Sequence, residues 1–66
     1  GQVSLKVFDL SGKEINELTN NFYAPGNYSI RWDAIDFYGN EVSSGIYIYQ
    51  LITQDIILSN RMVLMR

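Results

Sequence analysis

The sequence predicts an all-β fold, specifically an antiparallel sandwich or barrel of short strands. Apolar runs that alternate with a period of two recur along the chain, and clusters of glycine, asparagine, serine and aspartate separate them. Aromatic residues make up 14% of the composition, which favours strands over helices and excludes a disordered chain. No segment has a convincing helical pattern.

The first two predicted strands form a hairpin. The alternation of apolar and polar residues over 3–7 is typical of a half-buried strand, and residues 9–12 supply a turn that contains a glycine. The return arm, Lys13–Leu18, is ambiguous, because Ile15, Leu18 and Phe22 also have the spacing of one helix face. The preceding turn favours a strand for this arm.

The third predicted strand has the clearest alternation in the chain. A tight turn at Ala24–Asn27, built on proline and glycine, precedes it. Over Asn27–Asp33 the residues Tyr28, Ile30 and Trp32 then fall on one face, with polar residues on the other. The pattern predicts that this apolar face points into the core.

The C-terminal half of the chain predicts a connection followed by a second hairpin. Turn-forming residues dominate 34–44, where only Val42 is expected to point inward. The run Ile46–Ile52 is apolar on both faces, as is typical of a central strand covered on both sides. Residues 53–55 then turn the chain into a last strand, Ile56–Arg66.

A chain of 66 residues forms one domain at most, and its core is small. We therefore expect the domain to depend on neighbouring sequence for part of its stability. The predicted core consists of the inward-facing apolar side chains of these strands. They are Leu5, Val7, Tyr28, Ile30, Trp32, Tyr47, Leu51, Met62 and Leu64.

The composition argues against several classes of function. The chain has neither histidine nor cysteine, so it lacks the commonest general base, the commonest metal ligand and the thiol nucleophile. We therefore predict a non-catalytic chain that needs no cofactor. The net charge of −2 arises from scattered single charges, which argues against a nucleic-acid partner. No apolar stretch has the length of a transmembrane segment.

One loop contains a group of oxygen-bearing side chains. Asp33, Asp36 and Asn40 lie within eight consecutive positions and are candidate ligands of a calcium ion. Their spacing does not match an EF-hand. The favoured alternative is that they accept hydrogen bonds from backbone amides of the loop, as aspartate and asparagine commonly do in tight turns.

A stacking platform for carbohydrate is a weaker hypothesis. It would use the exposed aromatic rings, because flat rings cover sugar faces well. The alternative, that these rings belong to the core and the sheet surface, is favoured. The residues concerned are Tyr23, Phe37, Tyr38, Tyr47 and Tyr49.

Three motifs, in order, carry a resemblance to a known family. Val3–Ile15 resembles the V-x-L-x-V-Y-D-x-x-G-R-E-V hairpin of the C-terminal sorting domains of type IX secretion. Residues 24–42 are similar to a segment of the immunoglobulin-like domain named after the flagellar hook-capping protein, although Ala34 replaces the usual glycine. Residues 44–51 and 61–66 resemble the S-G-V-Y-x-Y-x-L and K-x-M-V-L-x-R ending of the sorting domains.

The resemblance implies an immunoglobulin-like antiparallel β-sandwich. It implies that residues 1–66 form a single C-terminal domain, here beginning mid-domain without its first strand. It further implies a sorting and anchoring module behind an N-terminal cargo domain of the same protein. Such a protein passes through the periplasm to the exterior or the surface of a bacterium, and the outer-membrane secretion machinery recognises the module.

The resemblance leaves two alternatives open and implies a set of recognition residues. The first alternative is a structural accessory domain that supports an adjacent enzyme domain or a flagellar hook cap. The second, weaker one is a carbohydrate-binding module. For the basic residues of the last strand, protection of a sheet edge is a simpler explanation than recognition. The implied recognition residues are Gly45, Tyr47, Tyr49, Arg61, Val63 and Arg66.

Overall fold

The computed structural model describes residues 1–66 and confirms the all-β prediction. Its four strands are β1 (Gln2–Phe8), β2 (Glu14–Phe22), β3 (Gly45–Ile52) and β4 (Ile57–Leu64). They form one sheet in the order β2-β1-β3-β4, and every neighbouring pair is antiparallel. No helix capable of crossing a membrane is present.

The predicted hairpin is formed by β1 and β2, and two bulges explain the ambiguous spacing in β2. The pairing register shifts twice, and Leu18 and Ile15 are the two residues of β2 that have no partner in β1. A bulge lets an extra side chain join one face of a strand. Ile15 is buried and Leu18 packs against the core. Their helix-like spacing is therefore the spacing of two bulges in a strand.

The second predicted hairpin is also present, with β3 in the interior of the sheet as expected. The prediction that β3 is covered on both faces is wrong, because no second sheet covers its outer face, where Ile46 is 40% exposed. β3 lies between β1 and β4, and its pairing with β4 runs without a shift from Gly45–Leu64 to Ile52–Ile57. Alternation along the strands defines two faces of the sheet. The inner face carries Val3, Leu5, Val7, Tyr47, Tyr49, Leu51, Leu58, Asn60, Met62 and Leu64.

The second layer of the fold is an irregular segment, residues 23–44, and not a second sheet. It contains one isolated bridge, between Ile35 and Glu41. The prediction of a strand at Asn27–Asp33 is wrong. Apolar and polar residues alternate in this segment, but it is not a strand. Residues 24–33 form no backbone-to-backbone hydrogen bonds to a neighbouring strand.

Two residues of the predicted core are consequently misplaced. Tyr28 and Ile30 are 57% and 38% exposed, because no sheet holds their segment against the core. The Tyr28 ring packs edge-on against Tyr23, with the centroids 4.8 Å apart, and its hydroxyl donates to the Ala24 carbonyl at 2.6 Å. The segment therefore folds back on itself at this point.

The rest of the core largely follows the prediction. Val7 and Tyr47 are buried, and they form the central cluster together with Ile15. Ala34 and Thr19 are buried as well, although neither was expected in the core. Several further side chains are only half-buried. Among these, Trp32, Met62 and Leu64 pack against the cluster, as do Leu18 and Val42, whereas the half-buried Leu5 and Leu51 do not.

Candidate recognition surface

Two of the predicted recognition residues lie together on the outer face of the sheet. Arg61 and Val63 belong to the edge strand β4, opposite Ile48 and Ile46 of β3. Val63 is 68% exposed and Ile46 is 40% exposed, while Arg61 is exposed and has no acidic partner. This part of the surface therefore combines apolar side chains with one free positive charge.

The two tyrosines of β3 lie on the opposite, inner face. Tyr47 is 6% exposed, its ring meets Trp32 edge-on at 5.3 Å, and its hydroxyl donates to the Ser43 carbonyl at 2.6 Å. Tyr49 is half-buried on the same face. The Tyr47 side chain is therefore not available to a partner of the folded domain. The separation of the two tyrosines from Arg61 and Val63 follows from the alternation of side chains along β3 and β4.

Arg66 binds the segment that precedes β3, residues 34–44, to the end of the chain. Its Nη2 donates to the Ala34 carbonyl at 2.7 Å, and its Nε donates to the Val42 carbonyl at 2.5 Å. Its backbone N–H donates to Ser44 Oγ at 3.0 Å, and its guanidinium lies 3.6 Å from the Glu41 carboxylate. The side chain is thus already engaged inside the domain.

Gly45 begins β3 beside this contact. Its φ of 154° is positive, and a Cβ placed there would meet no atom within 4 Å. The backbone conformation, and not lack of space, therefore favours glycine at the position.

Two of the calcium candidates, Asp33 and Asp36, make separate contacts within the chain. Asp36 Oδ1 accepts hydrogen bonds from the backbone N–H groups of Tyr38 and Asn40 at 2.9 and 3.0 Å. Asp33 instead forms an exposed ion pair with Arg31 at 3.1 Å. No group of three or more acidic residues is placed to share a metal ion. The turn-stabilising alternative is confirmed for Asp36, and Asp33 has a different role.

The Asp36 turn has a close counterpart in the β1–β2 hairpin. Asp9 Oδ1 accepts the N–H groups of Ser11 and Lys13 at 2.9 and 3.1 Å, with the same offsets as in the Asp36 turn. Both turns place a glycine at positive φ three residues after the aspartate, Gly12 at 89° and Gly39 at 81°. Asp36 is therefore explained by the same local structure as Asp9.

An apolar groove occupies the half of the inner face that residues 32–42 do not cover. Its volume is about 520 Å³, and none of its lining side chains is charged. The Tyr23 hydroxyl is hydrogen-bonded to Thr19 Oγ1 at 2.6 Å, and that of Tyr28 is bonded to a carbonyl, so the groove offers few free polar groups. The largest lining side chains are Leu5, Tyr23, Tyr28, Ile30, Tyr49 and Leu51.

The aromatic residues do not form a flat platform. The rings of Tyr23 and Tyr28 are inclined at 73° to each other, and Tyr47 lies in the core. Phe37 and Tyr38 are 54% and 88% exposed in the Asp36 turn, and neither ring pairs with another. A sugar ring stacks on parallel or coplanar faces, so this arrangement does not favour the carbohydrate hypothesis.

No protein-family model matches the chain, and neither a curated protein nor a solved structure gives a significant match. The family resemblance thus stays a prediction that depends on the three motifs.

Proposed function

We propose that the chain is a non-catalytic C-terminal sorting and anchoring module of a secreted or cell-surface bacterial protein. In this proposal the outer-membrane secretion machinery recognises the module after its passage into the periplasm. An N-terminal cargo domain of the same protein carries the activity. The module itself contributes a docking surface and requires no cofactor.

The observation that carries the proposal is the exposure of the last strand. β4 lies at the edge of the sheet, and its outer face presents Arg61 and Val63 beside Ile46. The outer face of this strand offers exposed side chains that a receptor can bind by shape and charge. The motif at residues 61–66, which resembles the ending of sorting domains, includes the last part of this strand.

The proposal is tested by export of a reporter fused ahead of residues 1–66 in a bacterium with type IX secretion. We expect deletion of residues 45–66 to leave the reporter in the periplasm. Because this deletion removes half of the sheet, the decisive variant is Arg61→Gln combined with Val63→Ser. Both side chains are exposed, so the domain should keep its fold while surface delivery falls several-fold.

The matched control is Ser59→Ala, which lies on the same face of the same strand. It should be exported like the parent, and circular dichroism should show equal folding of all point variants. Normal export of the Arg61/Val63 double variant would refute the assignment of this surface, and normal export of the deletion would refute the sorting function.

The apolar groove favours a second candidate, a structural accessory domain. A neighbouring domain that covered Leu5, Tyr49 and Leu51 would remove apolar surface from water and gain stability. Ile30→Lys in the groove wall should then lower the melting temperature of the attached domain by several degrees without affecting export. Ile46→Lys on the outer face, which changes a residue of similar exposure, should not lower it.

A further inference from the structure

The two edges of the sheet differ in how well they are protected. The β2 edge has two bulges and carries Glu14 and Glu17, and the Ile15 carbonyl accepts the Phe37 N–H at 3.0 Å. Bulges, charges and covering loops are common protections against pairing with another strand. β4 is paired with β3 without a bulge and carries a single charge, on Arg61. The β4 edge is therefore the open one.

The backbone of β4 shows which groups point outward. The Arg61 N–H donates to Oδ1 of the neighbouring Asn60 at 2.8 Å. In an antiparallel ladder, hydrogen-bonded and non-hydrogen-bonded residues alternate. The odd-numbered residues from Ile57 to Val63 therefore direct their N–H and C=O groups away from β3, along a regular edge. A partner strand would replace Asn60 Oδ1 as the acceptor of the Arg61 N–H.

From this we infer that β4 pairs antiparallel with β4 of a second copy of the chain, across a two-fold axis perpendicular to the sheet. The pairing joins both sheets into one. It uses the open edge of each copy and leaves only the protected β2 edges outside, so that assembly closes at the dimer. This inference does not depend on the proposed sorting function.

Two registers, centred on Asn60 and on Arg61, align most of β4 with its copy, and the single charge decides between them. The two-fold axis keeps the inner faces of both sheets on the same side. An even-numbered residue of β4 must therefore oppose an even-numbered residue of the second copy, and an odd-numbered residue an odd-numbered one. A register centred on Arg61 sets two like charges directly opposite each other, which is unfavourable. The adjacent register, centred on Asn60, instead places Arg61 opposite Ser59 of the second copy and pairs the two Asn60 amides.

The register centred on Asn60 also pairs the apolar residues of β4. Met62 faces Leu58 of the second copy on the inner side, and Val63 faces Ile57 on the outer side. In the single chain Ile57, Leu58 and Val63 are 66%, 55% and 68% exposed. Cross-strand apolar pairs of this kind stabilise antiparallel sheets. Charge and hydrophobicity therefore favour the same register.

Cysteine cross-linking tests the register, because the chain has no cysteine of its own. In the inferred dimer the two Asn60 Cα atoms oppose each other at about 4.5 Å, within the range of a disulfide. The two Ser59 Cα atoms lie about 8 Å apart, beyond that range. We expect Asn60→Cys to form a covalent dimer under mild oxidation and Ser59→Cys to form little.

A charge pair at residue 59 tests the same contact without a covalent bond. Ser59→Glu sets two carboxylates opposite the two Arg61 guanidinium groups and should lower the dimer dissociation constant by about three- to tenfold at low salt. Ser59→Lys should raise it by a similar factor. Sedimentation equilibrium measures both constants, and circular dichroism verifies that both variants fold.

Three results would overturn the inference. The first is a chain that stays monomeric at the highest soluble concentration. The second is a dimer in which cysteines at 59 and 60 cross-link equally, or in which the two Ser59 variants associate alike. The third is protection of the β4 amides from hydrogen exchange only in the presence of a cargo domain, which would assign this edge to another chain.

Discussion

Two aspartates, Asp9 and Asp36, organise two turns by the same hydrogen bonds. In each turn the side chain accepts two backbone N–H groups, and the backbone N–H of the aspartate donates to the carbonyl four residues later, at 3.0 and 2.9 Å. The carboxylate thus supplies acceptors for amides that have no ladder partner. Aspartate is a common metal ligand, but in both turns its role is structural.

The Asp9 turn predicts a pH dependence. The pKa of Asp9 lies below the usual 3.8, chiefly because the Ser11 side chain donates a hydrogen bond to the carboxylate. The backbone amides of Lys13 and Ser11 and the charge of Lys13 lower the pKa further, whereas desolvation opposes them. A pKa lowered by folding stabilises the fold above the unfolded value, and this contribution disappears as the pH falls through the folded pKa. NMR titration should show Asp9 titrating below 3.8.

The variant Asp9→Asn provides the control for this prediction. Its loss of unfolding free energy relative to the parent should shrink as the pH is lowered through the folded pKa of Asp9, because the parent then loses the same charge. An equal loss at every pH would contradict the ionic origin of the effect.

Ala34 has an unfavourable backbone conformation for its residue type. Its φ is 60°, in the left-handed region, and its side chain is 9% exposed. Its carbonyl accepts both the Val42 N–H at 3.0 Å and the Arg66 guanidinium at 2.7 Å, which hold it in place. Glycine adopts this conformation without the steric cost that a Cβ atom brings.

Substitution of Ala34 should separate the conformational effect from the packing effect. We expect Ala34→Val to lower the free energy of unfolding by about 2 kcal/mol, because a β-branched residue is poorly compatible with positive φ. Ala34→Gly should stay within about 1 kcal/mol of the parent, since relief of strain offsets the lost methyl group. Urea unfolding measures both, and equal effects of the two variants would contradict the argument.

At the scale of elements, side chains replace a sheet ladder in holding the second layer. Asn16 Nδ2 and Trp32 Nε1 both donate to the Ile35 carbonyl, at 3.0 and 2.9 Å. The Phe37 N–H donates to the Ile15 carbonyl of β2. Few backbone groups of the irregular segment are paired, so its position depends on these contacts and on the Trp32 ring against Tyr47.

The contact of Trp32 with Tyr47 predicts a measurable coupling. Because the ring is half-buried, we expect Trp32→Ala to cost about 2–3 kcal/mol, below the about 3–5 kcal/mol typical of a buried tryptophan. In a Tyr47→Leu background the cost should fall by about 0.5–1.5 kcal/mol, the value of an edge-to-face pair. A double-mutant cycle by chemical denaturation measures this coupling.

Tyr47→Phe is the matched control for this cycle. It keeps the ring and removes only the hydroxyl that donates to Ser43. The cost of Trp32→Ala should therefore be nearly the same in the Tyr47→Phe background as in the parent. If the cost of Trp32→Ala fell equally in the Tyr47→Leu and Tyr47→Phe backgrounds, the coupling would be due to the hydroxyl and not to the ring.

At the scale of the whole molecule, the domain has a small core and a large exposed apolar surface. Only five of the 66 residues are buried, and the groove and the outer face leave many apolar side chains in contact with water. Domains of this size are marginally stable. The cohesion of the molecule therefore depends strongly on the cluster of Val7, Ile15 and Tyr47.

Truncation at the centre of this cluster should have a large effect. Val7 is the one side chain with 0% exposure. We expect Val7→Ala to lower the free energy of unfolding by about 2 kcal/mol, from lost burial and the remaining cavity. Val3→Ala, the same change in the same strand beside the open groove, should cost less than half as much. Thermal and urea unfolding compare the two, and equal losses would contradict this location of the core.

Strands and turns could be predicted from the sequence where a local property determines them. The alternation in β1, the apolar run of β3 and the aspartate and glycine turns depend on residues near one another in the chain. The inward positions of Val7, Tyr47, Met62 and Leu64 follow from the same alternation. The helix-like spacing in β2 was open to two interpretations, because a bulge leaves no distinct local pattern.

The tertiary structure determined everything that needs a distant partner. Residues 27–33 alternate as a strand does, yet a strand also requires a neighbour with free backbone groups, and none lies beside them. Arg66 was a candidate for recognition, yet its partners Ser44 and Ala34 lie 22 and 32 residues earlier and engage it. Local sequence specifies which conformations a segment favours, whereas hydrogen-bond partners far along the chain decide which of them forms.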